Sequence, residues 1–165
     1  MDSVSVDSFG RLFNSPLEAG IRAVIVLEHL RPERVDLAEM VLLDHVVVHT
    51  ADVGGPPSLH PDVPGRKGEL LVRRRLVERS LELMLRCHLV RQESGPDGIF
   101  YRASDEAASY VELLETPYSE HLKACASWIA REVRAQDKDA FKARVRDYIG
   151  DWSEAFGVGD GTSPA

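Results

Sequence analysis

The stretch DVGGPPSLHPDVPGRKGELLVRRRLVERS, Asp52 to Ser80, decides how this chain is read. Its first half is loop. Gly54 and Gly55 end the preceding helix, and Pro56, Pro57, Pro61 and Pro64 forbid a regular helix while stiffening the backbone. Its second half is helix, from about Glu69 to Leu89, with Leu70, Val77, Leu81, Met84 and His88 as a core stripe and arginines on the opposite side. A connection spanning 54–67 is long for a compact domain, and such connections often carry function. The prolines make it a shaped loop.

Working outward, two helices precede the loop. Ser15, Pro16 and Glu18 form a capped helix start, and Leu17, Ile21, Val24, Ile25 and Leu27 give an apolar face as far as Leu30, where Pro32 stops it. Asp36 and Glu39 open a second helix whose stripe reads Leu37, Met40, Val41, Val47, Val48 and Ala51. Asp44 falls inside that stripe. A buried carboxylate costs several kcal/mol unless it is paired and hydrogen-bonded. Asp44 is therefore expected to accept bonds from loop amides, or to pair with Arg22 or Arg73, pinning the loop to the second helix.

After the basic helix, LVRQESGPDGIFYRAS (Leu89–Ser104) places two short strand-like runs around a turn, a β-hairpin signal. Three more helices follow. The first runs from Ser104 to about Glu115. The second opens at Thr116 and packs on Tyr118, Leu122, Cys125, Ile129 and Val133. The third runs from Asp137 and packs on Phe141, Val145, Tyr148, Ile149, Trp152 and Phe156. The last two read as an antiparallel pair.

Three helices and then a hairpin is the order of a winged helix-turn-helix, with the third helix as recognition element and the hairpin as wing. The predicted fold is mainly α with a small β-hairpin, a winged helix-turn-helix followed by a C-terminal helical extension. Its parts are a flexible arm at 1–13, the winged helix at 14–104, the extension at 105–156 and a disordered tail at 157–165.

Composition narrows the function. The apolar share of 44% can bury a real core, and two cysteines, Cys87 and Cys125, both in apolar patterns, fit core positions in a reducing compartment. No run approaches a membrane span, and the polar, acidic start shows no signal or transit peptide, so a cytoplasmic protein is expected. The net charge of −7 hides an asymmetry: residues 66–91 carry eight basic against three acidic side chains, a local +5 that leaves −12 for the rest. Arg66, Lys67, Arg73, Arg74, Arg75 and Arg79 are the candidates for contact with an anionic partner, either DNA backbone or protein.

Other chemistry is less well supported. His45, His49 and Asp52 sit at helical spacing with His60 beyond them, which would suit zinc or iron, but the glutamate base of a zinc protease motif is missing. A metal-dependent enzyme centred on these four remains a rival reading; the favoured one has no metal, no cofactor and no catalytic residue. Ser58 lacks a nucleophile elbow. Cys87 and His88 are sequence neighbours about 100° apart on a helix. GRKGE has no preceding strand to make a phosphate loop.

The segments FNSPLEAGIRAVIVLE and DLAEMVLLDHVVVHTADVGGPPSLHPDVPGRKGELLVRRRLVERSLELMLRCHLV resemble the middle component, second type, of bacterial ABC-three-component systems. The likeness covers roughly residues 13–150, and the DVGGPPSLHP signature with its following R, GE and VRR is its most specific part. The resemblance implies a winged-helix protein without catalytic residues, encoded between an SMC-like ABC ATPase and an effector in anti-phage and anti-plasmid systems of the Lamassu-like group. It points to Asp52, Gly54, Gly55, Pro56, Ser58, Leu59, His60, Pro61, Arg66, Gly68, Glu69, Arg73 and Arg74 as contact positions. The function expected is an adaptor between ATPase and effector, with DNA contact through the basic helix. The alternative is a winged-helix transcription regulator, a homodimer on a palindromic site.

Overall fold

The computed structural model describes residues 15–60 and 66–149, with side chains at 15–60 and 72–147. Six helices and one hairpin lie among the described residues: α1 Pro16–Leu30, α2 Leu37–Val48, α3 Arg66–Arg86, β1 Val90–Gly95, β2 Gly98–Ala103, α4 Ala107–Glu112, α5 Pro117–Gln136 and α6 Lys138–Ile149. A 3-10 turn, Thr50–Val53, follows α2. No described helix is long and apolar enough to cross a membrane. The arm at 1–13, the tail at 157–165 and the side chains of Leu70, Tyr148, Ile149, Trp152 and Phe156 lie outside the described residues.

Local chemistry sets the helix starts. Ser15 Oγ accepts the Glu18 amide at 3.2 Å with Pro16 in the first turn. Asp36 and Glu39 form a reciprocal capping box at 2.8 and 2.9 Å. Thr116 caps α5 through the Ser119 amide, ahead of Pro117.

Two helices are buried on every side over their central turns. In α1, Ala23 through Leu27 are all buried, and in α2 so are Glu39 through Val48. The near-continuous apolar runs AVIVL and VLL/VVV leave no polar face, so both helices sit centrally while α3 and α5 cover them with amphipathic faces. α1 lies against α2, α3, α4 and α5. Gly20 allows its approach to α3: a Cβ there would meet Met84 Cε at 2.6 Å. The expected one-sided stripe on α2 is thus too narrow, and Ala51 stands exposed in the 3-10 turn.

The basic helix stops earlier than its apolar period suggests. His88 adopts φ 60°, its amide reaches Leu85 O at 3.1 Å, and the Leu89 amide reaches Met84 O at 3.0 Å. That is a Schellman terminus with histidine in the usual glycine place. His88 and Cys87 consequently point to solvent, correcting their reading as core residues; Cys125 is buried as expected. Val77, Leu81 and Met84 do form the α3 core stripe.

β1 and β2 pair antiparallel, from Val90 opposite Ala103 to Gly95 opposite Gly98. Between α1 and α2, Val35 exchanges backbone bonds with Tyr101 at 2.9 and 2.7 Å, an antiparallel bridge on the far side of β2. α4 is shorter than expected. α6 returns along α5 after Asp137, held by Phe141 edge-on to Trp128 and by Arg144–Glu132 at 3.0 Å.

Candidate functional site

Asp44 is the hinge of the site. Its carboxylate accepts Arg22 Nε at 2.9 Å and Arg73 Nη1 at 2.6 Å, and Arg73 also reaches the Asp44 carbonyl at 3.3 Å. The three side chains come from α1, α2 and α3 and are 1%, 1% and 6% exposed for Arg22, Asp44 and Arg73. Burial on its own would raise the Asp44 pKa, but the two guanidiniums outweigh it and hold the carboxyl at about 2. Of the two arginines expected as partners, both are used. Arg73 therefore faces inward, and its place among the anion-contacting arginines is corrected: its charge is committed to Asp44.

A row of rings continues from this triad. His45 on α2 and His49 at its C-terminal cap lie with ring centroids 4.6 Å apart and planes tilted by 37°, and the His60 ring meets His49 edge-on at 6.3 Å. His60 Nε2 and Tyr118 Oη are hydrogen-bonded at 2.9 Å, and Tyr118 also interacts with Arg22. Burial first, then the charges of Arg22, His49 and Arg73, push His60 down to about 4, so it is neutral at physiological pH. Among the described residues no group of three or more His, Cys, Asp or Glu is placed to hold a metal ion. An open cleft of about 450 Å³ lies between the ends of α1 and α5 and the start of α6, lined by Pro32, Glu33, Arg134, Asp137 and Lys138 among others, and no histidine lines it.

The loop is clamped on both sides. Toward α2, the His60 amide bonds to Val48 O at 3.1 Å, Ser58 Oγ accepts the Ala51 amide at 3.1 Å, and Thr50 Oγ1 donates to Pro56 O at 2.9 Å. Toward α5, His121 Nε2 meets Pro57 O at 2.9 Å. Gly55 lies flat on Trp128, where a Cβ would come within 2.9 Å of the ring. Leu59 and Val53 pack on the core.

The loop residues differ in exposure. Gly54 is exposed and, with Pro57, presents the loop's outer side, whereas Asp52, Gly55, Pro56, Ser58, Leu59 and His60 are half-buried. Most of the signature thus shapes the loop from within. Pro61 and the side chains of Arg66, Lys67 and Glu69 lie outside the described residues. The clamp from α5, made by Tyr118, His121 and Trp128, leaves no local signal in the sequence. Tyr118, expected in the core, is partly exposed.

On the outer side of α3, Arg75, Arg79 and Arg86 are exposed at helical spacing beside Val72, which is 71% exposed. Arg74 is half-buried next to Glu78 at 3.9 Å. Glu78 and Glu82 share the exposed surface, so the stripe is basic but interrupted.

Fold and site together define a small helical protein with a hairpin, built round an Arg–Asp–Arg triad, that holds a clamped loop beside an arginine-bearing helix. The chain belongs to the family described as ABC-three component (ABC-3C) system Middle Component 2, whose model matches residues 12–155. No curated protein and no solved structure matches it.

Proposed function

We propose that this chain is a non-catalytic adaptor subunit linking an SMC-like ABC ATPase to an effector in a bacterial anti-phage or anti-plasmid defence complex of the Lamassu-like group. The observation that carries the reading is family membership: a middle component of a three-component system has protein partners to join. The clamped loop supports it, because a surface fixed before binding loses little conformational freedom on association. The exposed Arg75, Arg79 and Arg86 supply positive charge along α3.

The core is best described as a winged helix-turn-helix. Support comes from the order α1, Val35 bridge, α2, α3, β1, β2, in which the short extended segment between the first two helices pairs with the second hairpin strand. α3 then takes the recognition position and the hairpin the wing. DNA contact through α3 would go to backbone phosphates, since Glu78 and Glu82 interrupt the basic stripe and the remainder of the chain is acidic. The same geometry favours a second reading, a winged-helix transcription regulator in the cytoplasm. Nanomolar binding to one palindromic site would select it.

The test is co-expression with the ABC ATPase and the third component encoded beside it. Co-elution of all three through size exclusion is expected. An adaptor that elutes alone while ATPase and effector still associate would defeat the proposal.

A further inference from the structure

The wing has an open edge, and its sequence is complementary to itself. Tyr101 turns both its N–H and its C=O toward Val35, so Phe100 and Arg102 turn theirs toward β1. The ladder pairs are then Arg91 with Arg102 and Glu93 with Phe100, continued by the Ser104 amide on Leu89 O at 3.0 Å. Backbone groups alternate along a strand, which leaves those of Gln92 and Ser94 pointing away from β2. Both residues are exposed, and among the described residues nothing pairs with that edge. An unpaired edge is a template for another strand.

We infer that a second copy of this chain is the occupant, through antiparallel pairing of β1 with β1 about a twofold axis at Gln92. In this register Gln92 faces Gln92, Val90 faces Ser94, and the outward N–H and C=O groups become a continuous ladder. Arg91 then lies directly opposite Glu93 of the second copy, twice, as close cross-strand neighbours. The neighbouring twofold registers are rejected by charge. Sliding two residues one way sets Arg91 opposite Arg91, and sliding the other way sets Glu93 opposite Glu93. The two hairpins join into one four-stranded sheet. Arg91 reaches Asp105 at 2.9 Å, and Glu93 reaches Arg102 at 2.9 Å and Arg34 at 3.4 Å, surface pairs that exchange partners at little cost.

A six-residue edge buries less than the roughly 1,200 Å² of a stable interface, so the dimer is weak and forms over about 10 µM to 1 mM. Sedimentation equilibrium of the full chain should show the average mass rising from 18.3 kDa toward twice that value across this range. Gln92→Pro removes an outward N–H without touching a ladder bond, and should weaken association at least tenfold with an unchanged far-ultraviolet spectrum. Arg91→Glu and Glu93→Arg should each stay monomeric alone, because like charges then face each other across the twofold axis. Mixed, the two variants should associate, because both cross-strand pairs of the mixed dimer again join an acidic to a basic side chain. A parent chain monomeric to 1 mM overturns the inference. So does a Gln92→Pro dimer as tight as the parent's, or a mixture of the two charge variants that stays monomeric.

Discussion

Asp44→Asn keeps the size and shape of the side chain and removes its charge. In the native fold the carboxylate accepts Arg22 Nε at 2.9 Å, Arg22 Nη2 at 3.4 Å and Arg73 Nη1 at 2.6 Å. Asparagine retains one acceptor oxygen and turns an NH2 donor toward the other guanidinium. Breaking a buried ion pair costs about 3–5 kcal/mol when the remaining charge is uncompensated, and the retained oxygen brings the expectation to about 3 kcal/mol. The titration of Asp44 gives a second route. A fall from the ordinary 3.8 to about 2 is worth on the order of 2 kcal/mol. At about 2–4 °C per kcal/mol, the variant should melt roughly 6–12 °C lower at pH 7. The sign with pH follows from the lowered pKa: the contribution is complete above 3.8 and is lost as pH falls through 2, so the urea midpoints of parent and variant should converge on acidification. Equal melting temperatures at pH 7, or a gap that stays constant down to pH 2, would refute the assignment of Asp44 as the charge that joins α1, α2 and α3.

Three further outcomes are expected. His60 is neutral in the fold with a pKa of about 4, below the ordinary 6.5, so the unfolded chain takes up its proton first; stability should fall between pH 6.5 and 4 by on the order of 1–2 kcal/mol after allowance for partial exposure, and His60→Gln should flatten that slope in urea titrations. Gly55→Ala presses a Cβ on Trp128 and Thr50, and should lower stability by about 1–3 kcal/mol and shift the tryptophan emission. With native protein a thiol reagent should modify Cys87 at once and Cys125 only after unfolding, since burial covers Cys125 and raises its pKa; two fast thiols would contradict the packing of α5.

What was legible in the sequence was what local chemistry encodes. The caps at Ser15, Asp36 and Thr116, the hairpin turn, and the amphipathic stripes of α3 and α5 all follow from short-range rules. Asp44 was legible because a carboxylate in an apolar run must find a partner, and Arg22 and Arg73 lie on the neighbouring helices. The end of α3 was not, because apolar periodicity says nothing of the backbone angle that puts His88 in the left-handed region. Nor was the clamp on the loop. His121 and Trp128 reach Pro57 and Gly55 from more than sixty residues away, and no local signal reports such a contact. The DVGGPPSLHP motif reads as a proline-stiffened contact loop, and the sequence alone does not report the internal bonds by which Thr50, Ser58 and His60 hold its shape.

The most direct measurement of the adaptor claim is capture of the ATPase by an Arg75→Glu/Arg79→Glu variant. Both side chains are exposed and neither belongs to the Asp44 triad, so the variant should fold and melt as the parent does. Loss of co-purified ATPase with an unchanged melting temperature is the expected result. An intact ternary complex from this variant would contradict the account.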